Sequence, residues 1–177
     1  METTDREVMA RVARRDETAF SILVERYGGR LLAVARRLLG SRADAEDAVL
    51  RTLLQCYTAA SSYQARWAVS TWLYRILTNV CVDELRRRAT RTAYGAARAV
   101  LDSARPREPR RDLDLHRALA RVPREARVLL ALRYAEGLSY GELARIRGIS
   151  VNTVKSQLAR GKAVLREELG KRGILHD

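Results

Sequence analysis

Only two cysteines, three prolines, two histidines and one phenylalanine occur in this 177-residue chain, and it has no run of eighteen apolar residues. Each shortage removes a class of answer. Without such a run there is no candidate membrane-spanning helix, and the N-terminus carries no apolar signal core, so a soluble, cytoplasmic protein without membrane insertion is expected. Cys56 and Cys81 lie far apart, outside any C-x-x-C and away from histidine, and read as buried free thiols rather than zinc ligands. His116 and His176 are isolated and have no catalytic partner in sequence, so no metal, no cofactor and no catalytic residue is assigned. Few prolines, ten glycines and the absence of strand-like alternation leave long helical patterns, and the fold class expected is all-α.

Arginine, by contrast, is abundant. Lys plus Arg number 34 against 21 for Asp plus Glu, a net charge of +13. That excess favours a polyanion, most simply nucleic acid, because the guanidinium fork matches phosphate and guanine. An anionic membrane is a weaker candidate, since no segment pairs a basic face with a wide, bulky apolar one.

The pattern divides the chain into a helical block over 1–88, a linker over 89–112 and a second helical block over 113–177. In the first block a short amphipathic helix is expected over 5–14. Asp16 can cap a longer one that the Gly28-Gly29 pair should bend or break before 31–39. Gly40 ends that segment, and Ser41-x-x-Asp44 opens a helix running to about 60. Residues 61–69 read as a loop, and Ser70 or Thr71 begins a helix closed at 88 by Arg86-Arg87-Arg88. Pro106, Pro109 and Arg105, Arg107, Arg110 and Arg111 mark a flexible linker, with room for a partly helical stretch over 93–101. In the second block Pro123 fits the first turn of a helix ending at Gly137. The first block holds 15 basic against 11 acidic residues, the linker 6 against 3 and the smaller second block 13 against 7. Attraction for a polyanion per residue is therefore strongest in the linker and the second block.

The most informative stretch is 138–157. Ser139 and Glu142 form an S-x-x-E capping box, so a helix should start just after Leu138. Gly148 suits the left-handed residue that ends it, and Ser150 can cap the next helix. Leu143, Ile149, Val154 and Leu158 are spaced to share one small core, with Ala144 small enough for two helices to close together. At 100° per residue from Val154, the residues Asn152, Lys155, Ser156, Ala159 and Arg160 face away from it. A capped helix presenting an amide, a hydroxyl and two cations is what base edges and phosphates require, so a DNA-reading helix-turn-helix is expected.

The first block carries three further constellations. In the helix over 70–88, Trp72, Leu73, Ile76, Leu77, Val80 and Leu85 form an apolar stripe, while Arg75, Asn79, Asp83 and Arg86 align along another face. Helix C-terminal cations account for the arginines, but asparagine is a mediocre helix former and points to a role. Tyr57, Tyr63, Trp67, Trp72 and Tyr74 supply half of all the aromatic residues. In the loop, Tyr63 and Trp67 beside Arg66 either stack an unpaired base or pin the loop to the core. Asp44-Ala45-Glu46-Asp47 is an acidic patch at a helix start, favoured there by the dipole and also suited to docking on a basic protein surface.

Together these motifs resemble the extracytoplasmic-function (ECF) group of bacterial RNA polymerase sigma factors. Asp44 to Val49, then Thr71 to Ile76, Asn79 and Asp83 to Arg88, are similar to region 2 of that family. Val122-Pro123, Leu130 to Tyr134, Glu136 to Tyr140, Glu142 to Ala144 and Thr153 to Ser156 are similar to region 4. The resemblance implies two small helical domains joined by a flexible linker and binding to the clamp of the largest polymerase subunit through Asp44, Glu46, Asp47 and Arg51. It also implies capture of the unpaired −10 element by Tyr63, Arg66, Trp67, Arg75, Asn79, Asp83, Arg86 and Arg87. The −35 element would be read by Asn152, Thr153, Lys155, Ser156, Gln157 and Arg160. Core RNA polymerase and double- and single-stranded promoter DNA are thus the implied partners, with an anti-sigma factor a further partner common in the family. The chain departs from the family pattern at Leu50, Arg51 and Leu53, where a glutamine, a glutamate and an aromatic residue are usual.

A stand-alone helix-turn-helix regulator is the alternative, but it needs neither the acidic motif nor the Trp72–Arg88 segment. A nucleic-acid enzyme is disfavoured, since no metal-spaced carboxylate cluster or activated nucleophile is present. A specificity subunit without catalysis of its own is the expectation.

Overall fold

A computed structural model describes residues 3–93 and 110–171, in which helices and short connections, but no strands, are found. The first block consists of α1 (Asp5–Val12), α2 (Glu17–Leu39), α3 (Arg42–Ala59), a single 3₁₀ turn (Ala60–Ser62) and α4 (Val69–Ala93). The second consists of α5 (Arg110–Arg121), α6 (Arg124–Glu136), α7 (Tyr140–Arg147) and α8 (Val151–Lys171).

Local chemistry sets most of the boundaries. Thr4 and Glu7 close a capping box on α1, Asp16 Oδ1 accepts from the Ala19 amide at 3.0 Å, and Ser41 Oγ accepts from the Asp44 amide at 3.3 Å. Helix α2 ends at Gly40, whose φ of +75° is costly for any residue with a Cβ. The core of the first block forms where α2 packs against α1, α3 and α4, through Leu23, Tyr27, Leu31, Val34 and Leu38 of α2 with Leu73, Tyr74 and Leu77 of α4. Cys56 and Cys81 are buried free thiols, and burial pushes each up to about 12.

Three expectations about helix extent need correction. Gly28-Gly29 neither bends nor breaks α2, which runs unbroken from Glu17 to Leu39. Two mid-helix glycines cost roughly 2 kcal/mol together, less than the return from burying Leu23, Tyr27, Leu31 and Val34 on one continuous face. The arginine run does not close α4, which continues to Ala93. Glu84 accepts from Arg88 and Arg91, one and two turns on, and ties the added turn to the body of the helix. Helix α5 begins at Arg110, inside the segment assigned to the linker. The rest of the linker, 94–109, and all but Ala93 of the expected partly helical stretch lie outside the described residues.

In the second block, α8 packs against α5, α6 and α7. At Gly161 an added Cβ would lie 3.0 Å from both Ala126 Cβ and Leu130 Cδ1, so α6 and α8 touch nearly backbone to backbone. The two blocks also meet. Helix α6 packs on α2 and α7 on α4, so the second block rests on the helices that form the core of the first.

Candidate nucleic-acid interface

The helix-turn-helix is built as its sequence implies. Ser139 Oγ accepts from the Glu142 amide at 3.2 Å, while Glu142 Oε2 accepts from the Ser139 amide at 2.7 Å. The Ser139 amide first, and then the Ser139 hydroxyl donating to the same oxygen at 2.7 Å, hold the Glu142 carboxyl below its ordinary range. Gly148 ends α7 with φ +66°, and Ser150 Oγ accepts from the Thr153 amide at 3.0 Å to start α8. Leu143, Val154 and Leu158 are fully enclosed, and Ile149 is half-buried against them. On the opposite side of α8, Asn152, Lys155, Ser156 and Arg160 are all exposed. Thr153 and Gln157 lie between the two faces. The Thr153 hydroxyl is paired with Ser150 Oγ at 2.8 Å, and Gln157 Oε1 is enclosed without a partner.

On α4, Arg75, Asn79, Asp83, Arg86 and Arg87 are exposed, and the first four align along one face. Asp83 and Arg86 pair with each other at 3.2 Å. In the preceding loop the two aromatic residues have separate duties. The Tyr63 ring packs on Trp72 with centroids 5.4 Å apart, and its hydroxyl donates to the Trp67 carbonyl at 2.5 Å. Tyr63 therefore pins the loop to the core. Trp67 stays half-buried, with the Arg66 guanidinium 5.6 Å from its ring centroid.

The acidic start of α3 is largely compensated within the chain. Asp44 pairs with Arg88 at 2.6 Å, Glu46 with Arg42 at 2.7 Å and Asp47 with Arg51 at 2.8 Å. Arg51 also reaches Glu84 at 3.6 Å. One turn apart on the same helix, Leu50 and Leu54 are 66% and 60% exposed, which makes an apolar pair beside Asp47.

Sequence reasoning missed a polar seam between the blocks. Glu136, at the last position of α6, has a side chain only 6% exposed. Its Oε2 accepts from Tyr74 Oη at 2.5 Å, from Arg30 Nε at 2.8 Å and from Arg30 Nη2 at 2.7 Å. Burial, and then this bond to a carboxylate, raise the Tyr74 phenol far above its usual range. One turn along α4 from Tyr74, Arg147 Nη1 donates to Thr78 Oγ1 at 3.2 Å and to Asn79 Oδ1 at 3.3 Å, while its Nη2 holds Glu125 at 2.7 Å. One signal was available in sequence: a carboxylate at a helix C-terminus opposes the dipole and calls for a partner.

Family comparison accounts for both blocks. The Sigma-70 region 2 family matches residues 23–91, and the Sigma-70 region 4 family matches 112–165. The chain is 32% identical to the ECF RNA polymerase sigma factor SigM of Mycobacterium tuberculosis, over 96% of this chain and 86% of that protein. The chain belongs to the ECF RNA polymerase sigma factors. It is also 28% identical to SigW of Bacillus subtilis, over 96% of this chain and 98% of that one. Among solved structures, CnrH in complex with the cytosolic domain of CnrY superposes with a TM-score of 0.74 at 26% identity, covering 94% of this chain and 97% of CnrH. RpoE of Bartonella quintana, in complex with the anti-sigma factor NepR, gives 0.70 at 26% identity, covering 85% and 96%.

As an ECF sigma factor, the protein binds core RNA polymerase and directs promoter-specific initiation of transcription. A stand-alone helix-turn-helix regulator would explain the region 4 match and leave region 2 without a purpose. Among the described residues no group of three or more His, Cys, Asp or Glu could hold a metal ion, and no helix is long and apolar enough to cross a membrane.

Proposed function

We propose that the two sigma regions divide the promoter between them: α8 reads the −35 element in the major groove, and α4 with its preceding loop captures the unpaired −10 element. The observation that carries this proposal is the row Asn152, Lys155, Ser156 and Arg160. All four are exposed on one face of a helix whose other face, Val154 and Leu158, is sealed in the core. Asn152 and Ser156 are suited to base edges, and Lys155 and Arg160 to phosphate. Thr153 serves the cap first, and Gln157 contributes from the edge of the face. For the −10 strand, Trp67 with Arg66 offers a stacking platform that Tyr63 holds in position, while Arg75, Asn79, Asp83, Arg86 and Arg87 line the adjoining helix.

Polymerase docking is assigned to Asp44, Glu46, Asp47 and Arg51 at the start of α3, with Leu50 and Leu54 as its apolar part. Because Arg51 neutralises Asp47, this docking face relies more on apolar contact than a wholly acidic one does. The proposed domain limits start from the expected division into 1–88, 89–112 and 113–177 and move to the helix ends, so that region 2 takes in α4 to Ala93 and region 4 takes in α5 from Arg110. The protein is proposed to act in the cytoplasm as a specificity subunit, with no catalysis of its own. An anti-sigma factor is a further proposed partner, supported by its structural neighbours, CnrH and RpoE, being held by CnrY and NepR.

The decisive assay is transcription by purified core polymerase with this protein on a promoter selected from random DNA. Failure to bind core polymerase in gel filtration would refute the proposal. On that promoter Asn152→Ala should lose roughly 1–3 kcal/mol of discrimination at one −35 position. Lys155→Ala should weaken all sequences alike and lower the salt slope by about 0.9. Asp47→Lys should prevent core binding while leaving helicity unchanged; retained binding would remove Asp47 from the docking face.

A further inference from the structure

Arg6 stands between two acids in the first turn of α1, yet neither neutralises it. Asp5 Oδ1 accepts from Arg26 Nη1 at 2.8 Å, and Asp5 Oδ2 accepts from the Tyr27 hydroxyl. Glu7 Oε2 is taken up by the Thr4 amide at 2.7 Å and the Thr4 hydroxyl at 2.9 Å. Among the described residues Arg6 makes no ion pair or hydrogen bond, and it is exposed. Its place is nonetheless fixed. Arg26 Nη2 also donates to the Thr3 carbonyl at 2.7 Å, so α2 grips the start of α1 at two points. Burial first, and then the bond to Asp5, raise the Tyr27 phenol far above its usual range, which keeps it a donor.

Position gives that cation a use. Helix α1 packs on the 3₁₀ turn Ala60–Ser62 and on α4, the two elements that bound residues 63–68. Asp5 and Arg6 both lie close enough to the Tyr63 phenol to act on it: burial raises the phenol first, Arg6 opposes that rise and Asp5 adds to it. The same hydroxyl donates to the Trp67 carbonyl at 2.5 Å, so Arg6 borders the loop on the side that carries Trp67. Arg66 already leans over the Trp67 ring, 5.6 Å from its centroid. A base stacked on Trp67 brings a phosphate on either side of it, and Arg66, engaged with the ring, does not by itself balance both. Arg6 adds a second cation from a different element. Because its neighbour Asp5 is already anchored, it does so without ordering a new segment of chain.

We propose that Arg6 is a further DNA contact, a phosphate-binding residue that α1 contributes to capture of the unpaired −10 strand beside Trp67 and Arg66. This rests on the loop and α4 forming the −10 face. The ligand is a backbone phosphodiester of single-stranded DNA, recognised by its charge, so Arg6 contributes affinity and no base preference. Asp5, Arg26 and Tyr27 then act as positioning residues, because they hold the first turn of α1 against the loop.

The test uses holoenzyme assembled from core polymerase and the full chain, with two probes cut from the selected promoter. One is a fork whose −10 non-template strand is unpaired, and the other is a duplex bearing the −35 element alone. Fluorescence anisotropy is followed from about 0.05 to about 1 M salt. One lost phosphate contact on a single strand lowers the slope of log affinity against log salt by ~0.7, which is about fivefold at 0.1 M. Arg6→Ala should show that loss on the fork and converge with wild type near 1 M, and Arg6→Lys, which keeps the charge, should restore the slope. Its affinity for the −35 duplex, its binding to core polymerase in gel filtration and its thermal midpoint should be unchanged. Arg14→Ala, which removes an exposed cation in the turn after α1, should bind the fork as wild type does. A loss on the fork with an unchanged slope would make Arg6 a support of the loop and overturn the proposal. An equal loss on the −35 duplex, or weaker core binding, would overturn it too, the second by placing Arg6 against the polymerase. Trp67→Ala separates the inference from the reading beneath it. If Trp67→Ala weakens the fork and Arg6→Ala does not, Arg6 alone is removed; if Trp67→Ala changes nothing, the loop is not the −10 face and both fall.

Discussion

Three glycines with nearly the same backbone allow the packing of the blocks to be weighed. Gly40, Gly137 and Gly148 end α2, α6 and α7 with φ of +75°, +65° and +66°. Alanine at any of them takes on left-handed strain of roughly 1–2 kcal/mol. At Gly137 and Gly148 an added Cβ meets nothing within 4 Å, so strain is the whole cost. At Gly40 it would overlap the His116 ring, at 1.8 Å from Nε2 and 2.3 Å from Cδ2. The ring is the far end of a side chain and can swing aside, so the added cost is its lost seating, about 1 kcal/mol, rather than a hard clash. Gly137→Ala and Gly148→Ala should therefore lower the thermal midpoint by roughly 2–8 °C, and Gly40→Ala by a further 2–4 °C. In a His116→Ala background that excess should vanish, a coupling that a double-mutant cycle isolates. Equal losses at all three positions, or an excess that survives His116→Ala, would show that α5 does not rest on Gly40 in solution.

Three other outcomes follow from the same packing. Ser139→Ala should cost about 1 kcal/mol by removing half of a capping box. Because the Glu142 carboxyl is held low in the folded state, its contribution is present above the unfolded value of about 4.3 and is lost as pH falls through the folded one; the gap between the midpoints of wild type and Ser139→Ala, scanned from pH 7 to pH 3, should narrow in acid without closing, since the Ser139 amide serves Glu142 in both and the Ser139 Oγ cap on the Glu142 amide does not titrate. Cys56 and Cys81, with thiols pushed up to about 12, should react with an aromatic disulfide at pH 8 only once denaturant is added, and rapid labelling of the native chain would contradict their burial. Gly170→Ala, in open space on α8, should stabilise by roughly 0.5–1 kcal/mol, whereas Gly161→Ala should forfeit that gain, because Ala126 Cβ and Leu130 Cδ1 stand 3.0 Å from the new methyl group; urea midpoints of the pair would show the difference.

Features of the fold governed by a few neighbouring residues were legible in the sequence. The Ser139–Glu142 box, the Ser41 and Ser150 caps and the left-handed Gly40 and Gly148 each follow from local hydrogen bonding and backbone freedom. Helix extent was less legible where the deciding energy came from elsewhere. Gly28-Gly29 looks like a break when read locally, yet both sides of it are anchored in one core through Tyr27 and Leu31. The arginine run ending at 88 looks like a terminus by dipole reasoning, but Glu84 supplies carboxylate oxygens to Arg88 and Arg91 and carries the helix onward. The exposed row of α8 was foreseen by angular spacing, whereas the enclosure of Gln157 Oε1 depends on neighbours that spacing cannot supply.

The seam was illegible for a related reason. Its bonds join residues 62 to 106 positions apart, across a boundary at which sequence patterning treats the blocks as separate. The residue that betrays it is the one that local rules cannot accommodate. Glu136 stands where a helix C-terminus disfavours negative charge, at a position that is buried besides, and a buried carboxylate there persists only if donors meet it. Arg30 and Tyr74 meet it from the other block. Asp44 and Asp47, on a favourable helix start, needed no such partners, yet Arg88 and Arg51 pair with them. Acids that local rules already explain can therefore be read as surface, half-neutralised in place. An acid placed against those rules points to a contact, and here that contact joins the last turn of α6 to α2 and α4 of the other block.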